Sequence, residues 1–175
     1  IHLAKRLQSA YVIIHANTVL GASAFYYKKR PEGFDQLLSG GNVVIENNVD
    51  IGASCTIDKG VTASTTIKEG TKIDNLVQVG HDTIIGKKCL IASQVGIAGC
   101  TIIEDEVTIW GQVGITSGVT IGTKAVISAK AGVSKSLEGN KSYFGIPADD
   151  FRSKYKEIAA IRKIPEILEK LKNIK

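Results

Sequence analysis

The fold is decided by a stretch that begins at Ile67 and reads IKEGTKIDNLVQVGHDTIIG as far as Gly86. An Ile or Val stands at every sixth residue of this stretch, and a second series of small or β-branched residues runs two positions ahead of it. The first series continues without a missed step at Ile67, Ile73, Val79, Ile85, Ile91, Ile97, Ile103, Ile109, Ile115, Ile121, Ile127 and Val133.

A period of six excludes an α-helix, because six residues turn a helix through roughly 600° and successive aliphatic side chains would point in different directions. Short strands joined by corners fit the period. The aliphatic residue and the small residue two positions before it both point inward, and three strands close a coil of about 18 residues. Coils then stack through parallel ladders. The pattern predicts a parallel β-helix whose turns explain the glycines that often follow the aliphatic residue.

Two interruptions of the period predict where the chain leaves the coil. The step from Ile57 to Ile67 is ten residues, which predicts a four-residue bulge within 58–66. The step from Leu20 to Ile45 is 25 residues, which predicts an external loop at about 21–42. Such loops often bind ligands, although an arm that covers a neighbouring subunit explains this one equally well. The loop carries Phe25, Tyr26, Tyr27, Phe34 and the basic run Lys28, Lys29 and Arg30.

The period divides the chain into a β-helix domain at 1–148 and a helical extension at 149–175. Residues 1–10 are predicted to form a frayed turn or a short helix, and Ile14 and Leu20 an irregular first coil. The repeat stops after Val133, and 142–147 is predicted to be a turn. From Asp149 onward apolar residues recur at intervals of three and four, as in a helix. Pro165 predicts two helices or one kinked helix.

Composition narrows the class of protein. The 43% hydrophobic content predicts a folded chain. No apolar run is long enough to cross a bilayer and no secretory signal opens the sequence, so we expect no integral membrane segment and a cytoplasmic location. Cys55, Cys89 and Cys100 are an odd number without CxxC spacing, which predicts reduced, buried and structural thiols.

Several motifs go beyond the plain period. They are Ile57-Asp58-Lys59-Gly60, the run IDNLVQVGH at 73–81, QVGIAG at 94–99, GQVGI at 111–115 and the tail GIPA at 145–148 with its basic helix. Together these motifs resemble the UDP-3-O-(3-hydroxyacyl)glucosamine N-acyltransferases of bacterial lipid A biosynthesis. The period alone indicates only the hexapeptide-repeat class, whereas the run at 73–81 is more specific.

The resemblance implies a left-handed β-helix and a homotrimer with active sites in the clefts between subunits. It implies transfer of a 3-hydroxyacyl group from the phosphopantetheine thioester of acyl carrier protein to the 2-amine of UDP-3-O-acylglucosamine, without a further cofactor. Members also carry an N-terminal uridine-binding domain that has no counterpart here, and the chain begins at Ile1 without a Met. These departures favour a fragment and leave nucleotide recognition open. A second histidine of many members falls on Gly118.

His81 is the histidine within the regular repeat, and its place two residues after Val79 puts it at a corner outside the core. Transfer of an acyl group to an amine needs a base and a donor for the oxyanion. The resemblance makes His81 the base and the backbone N–H of Gly99 the oxyanion donor, and the spacing places Gly99 one coil along the same edge, about 4.8 Å away. A polar surface histidine and a plain turn glycine are the alternatives.

Three further residues are candidate substrate-binding residues. Asn75 and Gln78 match family positions that line the acceptor site, although polar residues on the outer face of a strand are common. Asp82 either orients the His81 imidazole or is only a polar residue that keeps the corner hydrated. No metal site is expected, because a zinc carbonic anhydrase of this architecture needs three protein ligands and the repeat supplies one histidine.

The net charge of +5 comes mainly from the C-terminal extension. A basic run is usually a solvated helix face, but it would also speed the encounter with acyl carrier protein, which is acidic. Nucleic acid is not an expected partner, because no binding motif accompanies the charge. The basic residues are Arg152, Lys154, Lys156, Arg162, Lys163, Lys170, Lys172 and Lys175.

Two other functions remain open. A coenzyme A-dependent acetyltransferase that acts on a sugar or a small amine would use the same coil and the same histidine. A non-catalytic trimeric scaffold is the third possibility, and it predicts that replacement of His81 changes nothing measurable.

Overall fold

A computed structural model describes residues 11–172 of the chain. Within this range three sheets of eight, six and five strands form the faces of a coil, beside a two-stranded hairpin and one C-terminal helix. The strands of the three sheets are parallel, except that the last strand of the eight-stranded sheet pairs antiparallel. The prediction of a parallel β-helix with a helical extension is confirmed. The prediction for residues 1–10, together with Ile174 and Lys175, lies outside the described residues.

Most strands are two to four residues long, as the six-residue period requires. In chain order they are β1 Val12–Ile14, β2 Val19–Ala22, β3 Tyr27–Arg30, β4 Gly33–Gln36, β5 Asn42–Ile45, β6 Val49–Ile51, β7 Thr56–Asp58, β8 Ser64–Ile67, β9 Lys72–Ile73, β10 Gln78–Val79, β11 Ile84–Ile85, β12 Leu90–Ile91, β13 Gly96–Ile97, β14 Ile102–Ile103, β15 Thr108–Ile109, β16 Gly114–Ile115, β17 Thr120–Ile121, β18 Val126–Ile127, β19 Gly132–Val133, β20 Ser142–Phe144 and β21 Asp149–Asp150.

In the regular part of the coil, each of the three faces contains every third strand of the chain. The first sheet has the order β1-β6-β9-β12-β15-β18-β20-β21, the second β19-β16-β13-β10-β7-β2, and the third β17-β14-β11-β8-β5. In the regular part each residue pairs with the residue 18 positions further along, so that Val79 lies beside Ile97 and Ile85 beside Ile103. This register aligns equivalent side chains of successive coils in columns.

Both repeat series point into the core. All twelve aliphatic residues between Ile67 and Val133 are at most 4% exposed. The residues two positions before them are buried as well, including Thr71, Thr83 and Thr101. A buried hydroxyl needs a partner, and the Thr71 hydroxyl finds one by donating to the carbonyl of Gly86 at 2.7 Å. Small and β-branched residues therefore fill the space that the aliphatic columns leave.

The corners differ from the sequence-based explanation. Left-handed backbone occurs at ordinary residues such as Leu76, Asp82 and Cys100, with φ of 61°, 54° and 60°. The glycine that follows the aliphatic residue is needed for another reason: a Cβ on Gly80 would lie 2.5 Å from the backbone nitrogen of Gly99 in the next coil. Explaining these glycines by turn conformation was wrong, because close stacking of coils requires them.

The external loop contains a hairpin in which β3 and β4 pair antiparallel. All four residues of β3 are exposed, and the Arg30 guanidinium pairs with the Asp35 carboxylate across the hairpin at 2.8 Å. The loop is anchored at its base, where the backbone N–H of Gly40 donates to the carbonyl of Val61 at 2.9 Å. It therefore contacts the four-residue bulge between β7 and β8.

The six-residue period ends at Val133, but the coil continues beyond it, within the range 1–148 predicted for the β-helix. Leu137 and Tyr143 are 4% and 5% exposed, and Tyr143 of β20 pairs with Ile127 of β18. The spacing between Leu137 and Val133 is four residues, which hides this last coil from a search for a period of six. The expected turn at 142–147 is correspondingly shorter, because β20 occupies its first three residues.

A single helix, α1, runs from Phe151 to Lys172 with Pro165 inside it. It begins two residues later than expected, because Asp149–Asp150 pair with β20 and the Asp150 carboxylate accepts the backbone N–H groups of Arg152 and Ser153, both at 3.1 Å. Such an aspartate is a favourable N-cap. No described helix is long and apolar enough to cross a membrane.

Candidate functional site

His81 and Asp82 form the turn between β10 and β11, at one edge of the coil. The imidazole is only partly exposed, at 14%, and the Asp82 carboxylate is 16% exposed. Asp82 Oδ2 lies 2.8 Å from His81 Nδ1. When Nδ1 carries the proton and donates it in this hydrogen bond, Nε2 is left as the free acceptor of the ring.

Asp82 is also bound by the bulge between β7 and β8. Its carboxylate accepts the backbone N–H of Val61 at 2.9 Å and that of Ala63 at 3.0 Å. Burial acts to raise the pKa of Asp82, but these hydrogen bonds and the one from His81 outweigh burial and hold the pKa below its ordinary value. Asp82 therefore stays ionised and fixed beside the imidazole.

Gly99 lies directly against the other side of the imidazole. A Cβ at this position would be 2.5 Å from His81 Nε2, so no other residue fits without moving the ring. The backbone N–H of Gly99 donates to no described residue. By contrast, the N–H groups of Ala53 and Lys87, which stand at the same position of the six-residue repeat, donate to side chains of the next coil. An N–H without an internal partner is thus available beside Nε2.

Tyr26, from the external loop, is a contact of His81 that the sequence reasoning missed. Its ring centroid lies 5.5 Å from that of the imidazole, with the ring planes at 52°. Aromatic pairs prefer such tilted arrangements. The loop was noted for its aromatic residues, but nothing in the sequence showed which of them reaches the corner of His81.

Asp58, which belongs to the motif at 57–60, lies beside the site. It is 6% exposed at the end of β7. Burial raises the pKa of Asp58, while the Gln78 amide and the nearby His81 act in the opposite direction. Gln78 itself is an exposed residue of β10, three positions before His81. A buried carboxylate in the preceding coil and an amide in the same coil thus lie close to the proposed base.

Asn75 does not join this group within one chain. It lies at the preceding corner, between β9 and β10, where its side-chain oxygen accepts the backbone N–H of Ala53 at 2.7 Å. Gly118 lies on the His81 edge, two coils beyond Asp82, with a left-handed φ of 71°. A Cβ there would meet nothing within 4 Å, so the site has open space where Gly118 stands.

Cys100 corrects a sequence-based prediction. Cys55 and Cys89 are buried free thiols, as expected, but Cys100 is exposed. It occupies the left-handed corner position instead of the inward-pointing series, and its Sγ lies 4.0 Å from His81 Nδ1. The coils are joined at this point by a hydrogen bond of 2.7 Å from the Cys100 N–H to the His81 carbonyl.

The six-residue repeat matches the sequence models of two known families. The sequence model of the family "Bacterial transferase hexapeptide (six repeats)" matches residues 64–99, and that of "Hexapeptide repeat of succinyl-transferase" matches 42–74 and 100–133. Together the matches extend from 42 to 133, which is more than half of the chain. The chain belongs to the hexapeptide-repeat transferases.

Other hexapeptide-repeat transferases resemble this one over most of its length. A relative from Wolinella succinogenes is 40% identical over 152 residues, which are 86% of this chain and 48% of the relative. One from Rhizobium meliloti is 46% identical over 149 residues, which are 85% of this chain and 42% of the relative. Both relatives are named UDP-3-O-acylglucosamine N-acyltransferase, so the resemblance seen in the motifs is confirmed. The chain spans about half the length of these relatives.

Solved structures confirm the fold. The UDP-N-acetylglucosamine acyltransferase of Francisella novicida superposes with a TM-score of 0.70 at 22% identity, covering 90% of this chain and 59% of that one. The corresponding enzyme of Campylobacter jejuni gives a TM-score of 0.68 at 20% identity, covering 81% and 60%. The coil of this hexapeptide-repeat transferase is the left-handed parallel β-helix of these proteins.

Proposed function

We propose that the protein transfers a 3-hydroxyacyl group from acyl carrier protein to the 2-amine of UDP-3-O-acylglucosamine, the acylation step of lipid A biosynthesis that its relatives' name describes. The observation that carries the proposal is the arrangement around His81. One ring nitrogen faces the Asp82 carboxylate, and the other faces Gly99. A base with a fixed orientation beside an available N–H is what amide formation from a thioester requires.

The residues then have distinct roles in the reaction. His81 Nε2 takes the proton from the attacking amine, and Asp82 holds the ring and stabilises the imidazolium that forms. The Gly99 N–H donates to the oxyanion of the tetrahedral intermediate. The thiol of the carrier's phosphopantetheine leaves as the intermediate collapses. The acyl group passes directly from thioester to amine, so the only prosthetic group in this proposal is the one that the carrier brings.

The proposed assembly is a homotrimer, because the chain alone leaves apolar surface uncovered. No residue of α1 is buried, although Ile161, Ile164, Leu168 and Leu171 recur at intervals of three and four and are about half exposed. Helices with such a stripe normally bury it against a partner. In a trimer Asn75, at another edge of the coil, would complete the acceptor site around His81 of a neighbouring chain.

Acyl carrier protein is the proposed donor partner, and α1 offers the surface for it. The helix has no acidic residue in its first turn and carries exposed Arg162, Lys163, Lys170 and Lys172. A basic surface speeds the encounter with an acidic protein, and this effect weakens as salt is added. The use of acyl carrier protein also fits the proposed cytoplasmic location.

The test is to incubate the purified protein with 3-hydroxyacyl carrier protein and UDP-3-O-acylglucosamine and to follow the diacylated product by mass spectrometry. The expected result is product formation that falls by at least about 10²-fold in His81→Ala. His15→Ala is the control, because His15 is an exposed histidine of the first coil, two coils before His81, and should not affect the rate.

Three other outcomes would point elsewhere. Reaction with acetyl-coenzyme A and a simple amino sugar, but not with the carrier protein, would favour the acetyltransferase. Equal rates for the native protein and His81→Ala would remove His81 as the base. Failure with every donor would favour the non-catalytic scaffold.

A further inference from the structure

Three potential metal ligands converge beside the imidazole. The ligand atoms of His81, Asp82 and Cys100 all lie within 4.8 Å of one another. His81 Nδ1 is 2.8 Å from Asp82 Oδ2 and 4.0 Å from Cys100 Sγ. A count of histidines alone excludes zinc, but the exposed Cys100 adds a sulfur ligand to the nitrogen of His81 and the oxygen of Asp82.

The same geometry argues against Cys100 as a nucleophile. In a Cys–His–Asp arrangement the thiol faces one ring nitrogen and the carboxylate faces the other. Here both Cys100 Sγ and Asp82 Oδ2 face Nδ1, while Nε2 faces Gly99. Cys100 is therefore poorly placed to receive the acyl group, but it is well placed to share a metal ion with Nδ1.

The distances suit a zinc ion after small movements. Zinc binds nitrogen and oxygen at about 2.0–2.2 Å and sulfur at about 2.3 Å, so a tetrahedral site separates nitrogen from oxygen by roughly 3.4 Å and nitrogen from sulfur by roughly 3.6 Å. The observed separations of 2.8 and 4.0 Å differ from these values by about half an ångström. Rotation of the exposed Cys100 side chain can adjust the nitrogen–sulfur separation, and a small rotation of the His81 ring can adjust the nitrogen–oxygen separation.

The surroundings already hold the ligands as in metal sites. Ligating carboxylates are usually fixed by further hydrogen bonds, and Asp82 accepts two from the backbone of Val61 and Ala63. The hydrogen bond from the Cys100 N–H to the His81 carbonyl fixes the two coils relative to each other. Little ordering is thus needed when an ion enters.

We propose that His81 Nδ1, the Asp82 carboxylate and the Cys100 thiolate form an inhibitory Zn²⁺ site, with a water molecule as the fourth ligand. On binding, the thiol proton is released to solvent and the proton of Nδ1 moves to Nε2. With Nε2 protonated and Nδ1 bound to zinc, His81 has no lone pair left to accept the proton of the amine. The inhibitory effect, but not the binding site, rests on the function proposed above.

The binding experiment needs no substrate. The protein is freed of metal with a chelator and titrated with Zn²⁺ by calorimetry and with Co²⁺ by absorption spectroscopy. The expected result is one ion per chain, with a thiolate-to-cobalt charge-transfer band in the near ultraviolet. Cys100→Ser should lose the band and bind Zn²⁺ at least tenfold more weakly. Cys55 and Cys89 remain in this variant and serve as internal controls.

The rate experiment adds Zn²⁺ to the acyl-transfer assay. Native protein should be inhibited at the concentrations that saturate the site and restored by chelator, and Cys100→Ser should keep its uninhibited rate and resist Zn²⁺ at least tenfold better. Equal Zn²⁺ affinity of the native protein and Cys100→Ser, without the cobalt band, would overturn the site whether or not the protein is active. Binding with the band but without inhibition of an active enzyme would overturn the inhibitory role.

Discussion

The Tyr26 ring lies 5.5 Å from the His81 imidazole of its own chain, centroid to centroid. The external loop leaves the coil after β2. Because Tyr26 contacts His81, the loop returns to the corner at which the proposed base stands. This contact favours a loop that belongs to the candidate site over an arm that only covers a neighbouring subunit. The loop forms one wall of the candidate site.

Replacement of Tyr26 should therefore affect catalysis through its ring. Tyr26→Ala is expected to lower kcat/KM several-fold, because the imidazole loses an aromatic neighbour and becomes more accessible to water. Tyr26→Phe should stay within twofold of the native value, since the contact is made by the ring. Phe34→Ala, a change at an exposed aromatic residue of the same hairpin, is the control. Equal losses in all three variants would indicate a general effect on the loop.

Gly99→Ala should inactivate the protein without unfolding it. The added methyl group would lie 2.5 Å from His81 Nε2, so the imidazole must move away from its position against Gly99. A fall in kcat of about 10²-fold or more is expected. Gly114→Ala is the matched control, because a Cβ on Gly114 meets nothing within 4 Å. Steady-state kinetics and thermal unfolding of both variants check the prediction, and a native kcat in Gly99→Ala would contradict it.

Asp82→Asn should lower kcat with little change in KM. The amide cannot stabilise the imidazolium, and it can present its NH₂ group to Nδ1, which favours the wrong tautomer. A loss on the order of 10²-fold is expected. Asp105→Asn provides the control, because Asp105 likewise accepts a backbone N–H from the preceding coil, that of Lys87 at 2.7 Å, but lies at another edge. A similar loss of kcat in both variants would assign Asp82 a structural role only.

Asp58→Asn should make the protein more stable at neutral pH. Burial raises the pKa of Asp58, so the ionised carboxylate is less favourable in the folded than in the unfolded protein. Stability is consequently lost as the pH rises from the ordinary value of 3.8 through the raised pKa. The amide avoids this loss. Urea unfolding of both proteins at pH 7 and below pH 3.8 should show a larger advantage of the variant at pH 7, and an equal difference at both pH values would refute this assignment.

The periodic part of the fold could be predicted from the sequence because one rule repeats. Each inward position from Ile67 to Val133 follows from a count of six, and so does the stacking of Gly99 on His81. The strands of the last coil could not be located by counting six residues, since Val133 and Leu137 are only four residues apart. The left-handed corner at Cys100 was likewise missed, because the thirteen non-glycine residues between 11 and 172 that adopt this conformation belong to many different residue types.

The contacts that complete the candidate site come from irregular segments. Tyr26 reaches His81 from a loop whose path no period describes, and the N–H groups of Val61 and Ala63 reach Asp82 from the four-residue bulge. The sequence marked both interruptions and their lengths. Their direction depends on packing between segments far apart in the chain, which local preferences do not determine.

Because stacked strands are offset by 18 residues, the length of the coil is set by its number of complete turns. Each turn contacts only the turns before and after it, so the stability of such an array is close to a sum of neighbouring interactions. Removing one whole turn between Gly99 and Val133 would shorten the span from His81 to α1 by about 4.8 Å and leave the ladders on either side paired as before. The distance between the edge that carries His81 and the C-terminal helix can thus change only in whole turns, and insertions of any other length must leave the coil as loops.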